Sequence, residues 1–370
     1  MKRTGFFWHE RCFWHDQGAI GVFSAPGEFL QPQPASESPE SKRRLKNLLE
    51  VSGLIDELEV IKPAPAARKD LERFHTSRYL DELEAGDRAR GGNGGDCAPY
   101  MPGSLAAARQ SAGLAIAAVE AVATGLLQNA YALCRPPGHH AEADQGRGFC
   151  LLSNIPVAVM RARALGQVGR VAIFDWDVHH GNGQQAAFNH DPDVFTLSLH
   201  QAGNYPLDTG FFDEQGVGDG EGADLNLPLP PGCGIGAYDY AMDKLVLPAL
   251  EAFRPDLIVV ACGYDACAKD PLGKMLLNSS AFASMTRKLK QLAERCCEGK
   301  LVMVHEGGYS EGYAPLCGHG VIGELAGSRI TVPDPQDAEI AAWAYQDLQP
   351  HQKALIDDWH DQWRAAGRLG

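Results

Sequence analysis

The stretch Val171-Ala172-Ile173-Phe174-Asp175-Trp176-Asp177-Val178-His179-His180-Gly181-Asn182-Gly183 decides the reading of this chain. It opens behind Gly169 as a short apolar, β-branched run, the pattern of a buried strand. It closes in a burst of Asp, His and Gly. In open α/β sheets ligands bind beyond the carboxyl ends of the strands, so chemistry is expected where this strand runs out. Side chains two apart in an extended chain share a face, which puts Asp175, Asp177 and His179 on one side. Asp177 and His179 are then spaced to hold one metal ion together. The plain alternative is a salt-linked strand end with a turn at Gly181-Asn182-Gly183. Three ionisable groups of one parity, however, are costly to bury unless they bind something.

Outward from this stretch the same grammar repeats. Ser38-Pro39-Glu40-Ser41 starts a helix with Pro39 in its first turn. An Ala-rich apolar pattern from Ser104 to Thr124 predicts a buried helix. Ala130–Cys134 predicts a strand ending in Arg135-Pro136-Pro137-Gly138-His139-His140. Helices are expected over 155–165, 237–253 and 280–297. Strands are expected over Val194–His200, Leu257–Cys262 and Leu301–Val304. The last two deliver Gly263-Tyr264-Asp265 and His305-Glu306-Gly307-Gly308-Tyr309. Alternating strands and helices, with four strands ending in polar or glycine-rich clusters, predict a parallel sheet flanked by helices with one site along its carboxyl edge. Residues 1–100 read as aromatics, helical segments and loops. Gly91–Cys97 is a surface loop, either a linker or the rim of a substrate mouth. No repeat or boundary divides the chain, so 1–370 is expected to be a single domain.

Composition narrows the function. The formal net charge of −14, from 47 acidic and 33 basic side chains, argues against a nucleic-acid binder, which needs clustered Lys and Arg. Ten cysteines without a Cys-x-x-Cys spacing suit free thiols in a reducing compartment. Met1–Glu10 lacks the apolar core of a signal peptide, and no run approaches the roughly 18 apolar residues of a membrane span. A cytoplasmic protein without nucleic-acid or membrane partners is expected.

Asp177 and His179 supply two metal ligands, and Asp265, just past an apolar run, is the best third. Two carboxylates and one imidazole leave a position open for water, as in a catalytic zinc site. His139 and His140 can move protons, and Tyr309 can donate to an oxyanion.

These residues carry a resemblance. The chain resembles the histone deacetylase and acetylpolyamine amidohydrolase family, most of all its class II-like and bacterial histone deacetylase-like amidohydrolase branch. The similarity runs from about residue 25 to 330. It rests on Arg135–Ala141, Gly148-Phe149-Cys150, Asp175–Gly183, Ser198-Leu199-His200, Gly263-Tyr264-Asp265 and Glu306–Tyr309. It implies the arginase-deacetylase α/β fold and a zinc ion on Asp177, His179 and Asp265. It further implies His140 as the main proton-transfer group, His139 as its electrostatic partner, and Tyr309 as the carbonyl-polarising donor. Asp175 and Asn182 would orient His139 and His140. Structural potassium is implied at Asp175, Asp177, His179, Ser198 and Leu199, and a second ion at Phe188, Asp191, Val194 and Ala223. Phe149, Tyr205, Leu272 and Gly307 would belong to the substrate channel.

Asn182 stands where many relatives have Asp, which should lower the pKa of His140. Tyr205 stands where a channel Phe is expected, and its hydroxyl either alters acyl preference or points outward. The expected activity is removal of acetyl or other short acyl groups from the ε-amine of lysine, with acetylpolyamine deacetylation as the alternative. Leu272, after Asp270-Pro271, takes the place of an acidic gatekeeper and tilts the reading toward lysine, while the acidic Asp81–Asp87 region and Asp96 keep polyamines in play. A two-metal arginase-like ureohydrolase fits less well, because Gly181 and Cys267 replace two carboxylates it needs. A non-catalytic acyl-group-binding protein is a further alternative. A homo-oligomer, dimer or tetramer, is expected. Residues 331–370 read as an acidic helical extension, for which a face against a neighbouring subunit is one use.

Overall fold

The computed structural model describes residues 3–20 and 31–369, so the expected start of the motif-bearing core near residue 25 lies outside the described residues. The eight strands of the main sheet are β1 (Thr4–Phe7), β2 (Glu59–Ile61), β3 (Asn129–Ala132), β4 (Val171–Asp175), β5 (Val194–Gln201), β6 (Asp224–Leu229), β7 (Leu257–Cys262) and β8 (Leu301–His305). They lie in the order β6-β5-β4-β7-β8-β3-β1-β2, and every pairing is parallel. From β4 the chain first steps outward to β5 and β6, then returns to the other side of β4 as β7 and β8. The crevice between β4 and β7 is therefore the topological switch point, where an open α/β sheet places its ligand.

The strands read as continuous apolar runs because both sheet faces are covered. Ala172 and Phe174 of β4, with Ile258, Val260 and Cys262 of β7, pack into one core; Val171, Ile173, Leu257, Val259 and Ala261 pack into the other. The first core is closed by helices Glu40–Ser52, Ser279–Cys296 and Ala314–Ala326, the second by Ser77–Arg88, Ser104–Ala123 and Asn154–Ala164. Ser104–Ala123 is a helix long and apolar enough to cross a bilayer by length and composition, contrary to the sequence expectation. Most of it is buried against the sheet.

Several elements differ from expectation for visible reasons. The first hundred residues contribute two sheet strands, β1 and β2, too short to show a periodicity. Strand β6 was hidden by Asn226 and Pro228, which interrupt its apolar pattern. The helix expected over 237–253 runs as Ile235–Ala241, a π-helical turn Met242–Val246, and Leu247–Phe253. The widened turn precedes Pro248, which has no N–H to offer a regular helical ladder. Pro39 caps helix Glu40–Ser52 from outside, and the Glu40 N–H donates to Ser38 Oγ at 3.2 Å. Gly91–Cys97 is tied down: Gly92–Asn93 pairs with Pro99–Tyr100, and Gly95–Asp96 with Gly146–Arg147.

The C-terminal extension spends its apolar face on its own chain. Helix Pro350–Ala365 buries Ile356, Trp359 and Trp363 in the first core. Trp359 stacks on Phe212 at 5.6 Å between ring centroids, and Trp363 lies 6.4 Å from Phe195 of β5. Trp363 is only 1% exposed. Trp363→Ala should therefore cost about 3–5 kcal/mol of stability, as large-to-small core changes do. Urea unfolding of the variant checks this; a midpoint equal to wild type would show that the helix is not part of the cooperative core.

Candidate active site

The switch-point crevice collects side chains from the ends of β3, β4, β7 and β8. Asp175 ends β4, and the chain then turns rather than staying extended. Asp177 N–H donates to Asp175 Oδ1 at 2.9 Å, and His179 N–H to Asp177 Oδ1 at 3.0 Å. Two successive Asp-centred turns, not strand parity, bring Asp177 and His179 together. The other oxygen of Asp175, Oδ2, accepts from His139 Nδ1 at 3.0 Å and Gln184 Nε2 at 2.7 Å.

Asp177, His179 and Asp265 converge, with ligand atoms within 4.8 Å of one another. His179 Nδ1 lies 3.0 Å from Asp177 Oδ1 and 3.1 Å from Asp265 Oδ2. Zinc ligands about 2.0–2.1 Å from one tetrahedral ion stand roughly 3.3 Å apart, so this donor set fits zinc. The remaining carboxylate oxygens are occupied from behind: Gly307 N–H donates to Asp177 Oδ2 at 2.8 Å and Val178 N–H to Asp265 Oδ1 at 2.8 Å. Such backing partners fix the aim of metal ligands. Gly307 thus stands behind the carboxylates and outside the lining of the channel where the sequence reading put it. A Cβ there would meet Asp265 Oδ2 at 2.1 Å.

A second trio, His139, Cys150 and Glu306, also lies within metal-binding reach. Two of its donors are engaged, with His139 Nδ1 on Asp175 and Glu306 Oε2 accepting from Gly138 N–H at 2.6 Å, while Glu306 Oε1 has no partner. Burial also pushes the Cys150 thiol well above its ordinary value.

The charges follow from this packing. Burial opposes a charge on His179, but its hydrogen bonds to Asp177 and Asp265 override that and push it up to about 10. Burial and the neighbouring Asp177 charge push Asp265 up to about 7. A divalent cation would reverse both shifts by taking the place of the shared proton. His139 is pushed up to about 10, because Asp177 and Asp175 outweigh burial. His140 goes the other way, held well below the ordinary range by burial and then by the neighbouring His139 and His179. The sequence reading expected a lowered His140, though from the missing carboxylate at Asn182 alone. Its Nδ1 lies 2.8 Å from Asn182 Oδ1. Burial, then Asp265 and Asp177, hold Tyr309 far above its usual value, so its hydroxyl keeps its proton.

A narrow channel leads from the surface to these groups. His140, His179 and Tyr309 form its inner end, and Phe149, Tyr205, Leu272, Gly148 and Cys97 its walls. Gly148 has φ +48°, and a Cβ there would strike His140 Cδ2 at 2.3 Å and Tyr205 Cε1 at 2.7 Å. No other residue leaves the channel open at that point. Tyr205 turns its hydroxyl away from the acyl end and donates to Asp96 Oδ2 at 2.8 Å. Asp270, read from sequence only as half of an Asp-Pro pair, accepts from Leu272 N–H at 2.9 Å and Tyr309 N–H at 2.7 Å. It thereby joins the channel wall to the Tyr309 backbone. Of the residues expected to hold potassium, Asp175 ends β4, Asp177 and His179 follow it, Val194, Ser198 and Leu199 lie on β5, Phe188 and Asp191 precede β5, and Ala223 precedes β6. Ser198 Oγ is 2.9 Å from His200 Nδ1, while the carbonyls of Phe188, Asp191 and Ala223 accept the N–H groups of Asp191, Val194 and Thr196.

Sequence reasoning named Arg135 only as the start of a motif and missed its partners Glu37 and Lys42: in this buried charged cluster Arg135 Nε meets Glu37 Oε1 at 2.9 Å and Lys42 Nζ lies 3.6 Å from the same oxygen. It also missed Glu142 and Arg147, paired at 3.0 Å near the mouth. Only the unusual placement of Lys42 inside an otherwise amphipathic helix could have signalled the first group.

Known proteins agree with the geometry. A family model described as the histone deacetylase domain matches residues 35–324. A histone deacetylase-like amidohydrolase from Pseudomonas aeruginosa is 51% identical over 337 residues, covering 90% of this chain and 89% of that protein. Histone deacetylase 8 of Arabidopsis thaliana is 35% identical over 371 residues, covering 96% and 95%. The crystal structure of the HDA15 HD domain matches with a TM-score of 0.83 at 30% identity, covering 99% of this chain and 96% of that one. The sheet order and the crevice between β4 and β7 are thus those of the arginase-deacetylase fold. With a family match over most of its length, the chain belongs to the histone deacetylase family of deacetylases and amidohydrolases.

Proposed function

We propose that the chain is a zinc-dependent amidohydrolase that removes acetyl or other short acyl groups from the ε-amine of lysine in peptides or proteins. The observation that carries this is the convergence of Asp177, His179 and Asp265 at the end of a channel that also presents His140 and Tyr309. Asp177, His179 and Asp265 would hold the zinc ion, which when bound supplies a water of lowered pKa and a Lewis acid. His140, neutral and free at Nε2, accepts the proton of the attacking water and returns it to the departing lysine amine. His139, kept charged by Asp175 and Asp177, adds a positive field beside it. Tyr309 donates a hydrogen bond to the carbonyl oxygen as it becomes an oxyanion. Phe149, Tyr205 and Leu272 enclose the methylenes of the lysine side chain. Potassium at the two residue sets expected to hold it would be structural. One domain over 1–370 is the reading supported by Trp359 and Trp363 in the common core.

Acetylpolyamines are the second reading, favoured by the Asp96 carboxylate at the mouth. That carboxylate, however, accepts from Tyr205 and lies 3.8 Å from Arg147, so its charge is already partly answered. Leu272 offers an ammonium no partner, and a desolvated cation without one is expensive.

Three outcomes test this. Zinc should bind at about one ion per chain at the proposed site and release about one to two protons at pH 7, since His179 and Asp265 give theirs up. Calorimetry in buffers of different ionisation enthalpy reads the number, and binding without proton release would remove His179 or Asp265 from the ligand set. Tyr309→Phe should lower kcat on acetyl-lysine peptide by on the order of 10²–10³ with zinc content unchanged. Near-normal turnover would assign carbonyl polarisation elsewhere. Wild type should have a higher kcat/KM for acetyl-lysine peptides than for acetylspermidine, and Leu272→Glu should shift the ratio toward polyamines by about 1–3 kcal/mol. A wild-type preference for acetylpolyamines would overturn the lysine reading.

A further inference from the structure

We propose that Glu142 is a positioning residue that sets the ring tautomer of His140 through the side-chain amide of Asn182. The proposal rests on the reading of His140 as the proton-transfer group.

A neutral imidazole is a base at only one nitrogen, and the partner of the other nitrogen decides which. The partner of His140 Nδ1 is Asn182, whose amide has an accepting end and a donating end of almost the same shape. The surroundings decide its orientation. Asn182 Nδ2 lies 3.1 Å from the His140 carbonyl oxygen and 2.8 Å from Glu142 Oε1. Both are acceptors, so the NH2 end belongs there and Oδ1 faces the ring at 2.8 Å. An amide oxygen can only accept, so Nδ1 carries the hydrogen and Nε2 keeps its lone pair for the channel.

Turned end for end, the amide would offer N–H to Nδ1, push the hydrogen onto Nε2 and leave no base. It would also press Oδ1 against a carboxylate oxygen. The charge-assisted bond from Asn182 to Glu142 is what makes the turned form costly. His139 needs no such device, because Asp175 accepts with either oxygen.

Glu142 is itself held in place. Arg147 Nη1 donates to the same Oε1 at 3.0 Å, and Gln145 Nε2 donates to Oε2 at 2.7 Å. Arg147 reaches on to Asp208 at 2.9 Å. The base at the inner end of the channel is thus tied to its mouth through Asn182, Glu142 and Arg147.

The test uses the zinc-loaded full chain and combines kinetics with nitrogen NMR of the histidine rings. Wild type should show His140 with its hydrogen on Nδ1. Glu142→Ala should populate the other tautomer and lower kcat by about 10–100-fold, the usual effect of losing a partner that orients a site histidine, with little change in KM. Glu142→Gln keeps an oxygen for Asn182 to meet and should recover most of the loss. In an Asn182→Asp background there is no amide to turn, so Glu142→Ala should cost far less than in wild type. Hydrogen on Nε2 in wild type, equal losses in both backgrounds, or a loss confined to KM would overturn the proposal. Full activity in His140→Ala would instead overturn the reading of His140 as the base, with the tautomer result still standing.

Discussion

Everything in this structure bends around one unfavourable juxtaposition: the Asp177 and Asp265 carboxylates held in the dry interior within reach of the same imidazole nitrogen. Two like charges removed from water are tolerated only when a cation, or a proton shared through His179, sits between them. The scaffold makes the encounter possible in three ways. Neighbouring parallel strands β4 and β7 end side by side at the switch point. Backbone N–H groups from Val178 and Gly307 hold the outer oxygens. Small residues make room, since a Cβ on Gly263 would meet Asp177 Oδ2 at 2.1 Å.

The same crowding sorts the two adjacent histidines into opposite roles. Their rings lie 3.9 Å apart, yet burial acts on them through different partners. His139 faces Asp175 and becomes a cation; His140 faces an uncharged amide and stays neutral. Two positive rings at that distance would repel each other, so the charge on one helps keep the other a base.

The parts of this arrangement carried by contiguous residues were legible in the sequence. An apolar run followed by Asp, His and Gly announces a strand end with chemistry, and β4, β7 and β8 were found that way. The sequence also pointed to Asp177, His179 and Asp265 as a set. Parity was the wrong reason for the first pair, because Asp175 and Asp177 accept hydrogen bonds from the backbone N–H groups two residues on and turn the chain just where strand geometry would have ended. What stayed hidden depends on pairings across the chain. Glu142 meets Asn182 from forty residues away, and Tyr205 meets Asp96 across 109. A lone Glu or Asp in an irregular or short paired segment gives no local sign of such a partner. Strands β1 and β2 escaped notice because a few residues show no period, and only neighbouring strands give them meaning.

The stacking of Trp359 on Phe212 has a consequence for how the protein is made. Phe212 belongs to the segment that follows Tyr205 and Asp208, the outer wall of the channel. The strands that place the Asp and His groups are all translated before helix Pro350–Ala365. A nascent chain can thus assemble the sheet, with Phe195 already stacked on Phe253, while Phe212 still lacks the ring that will cover it. The wall is braced only when the later helix has left the ribosome and closed over Phe212, so the chemical groups are in place before the channel wall that screens them is fully supported.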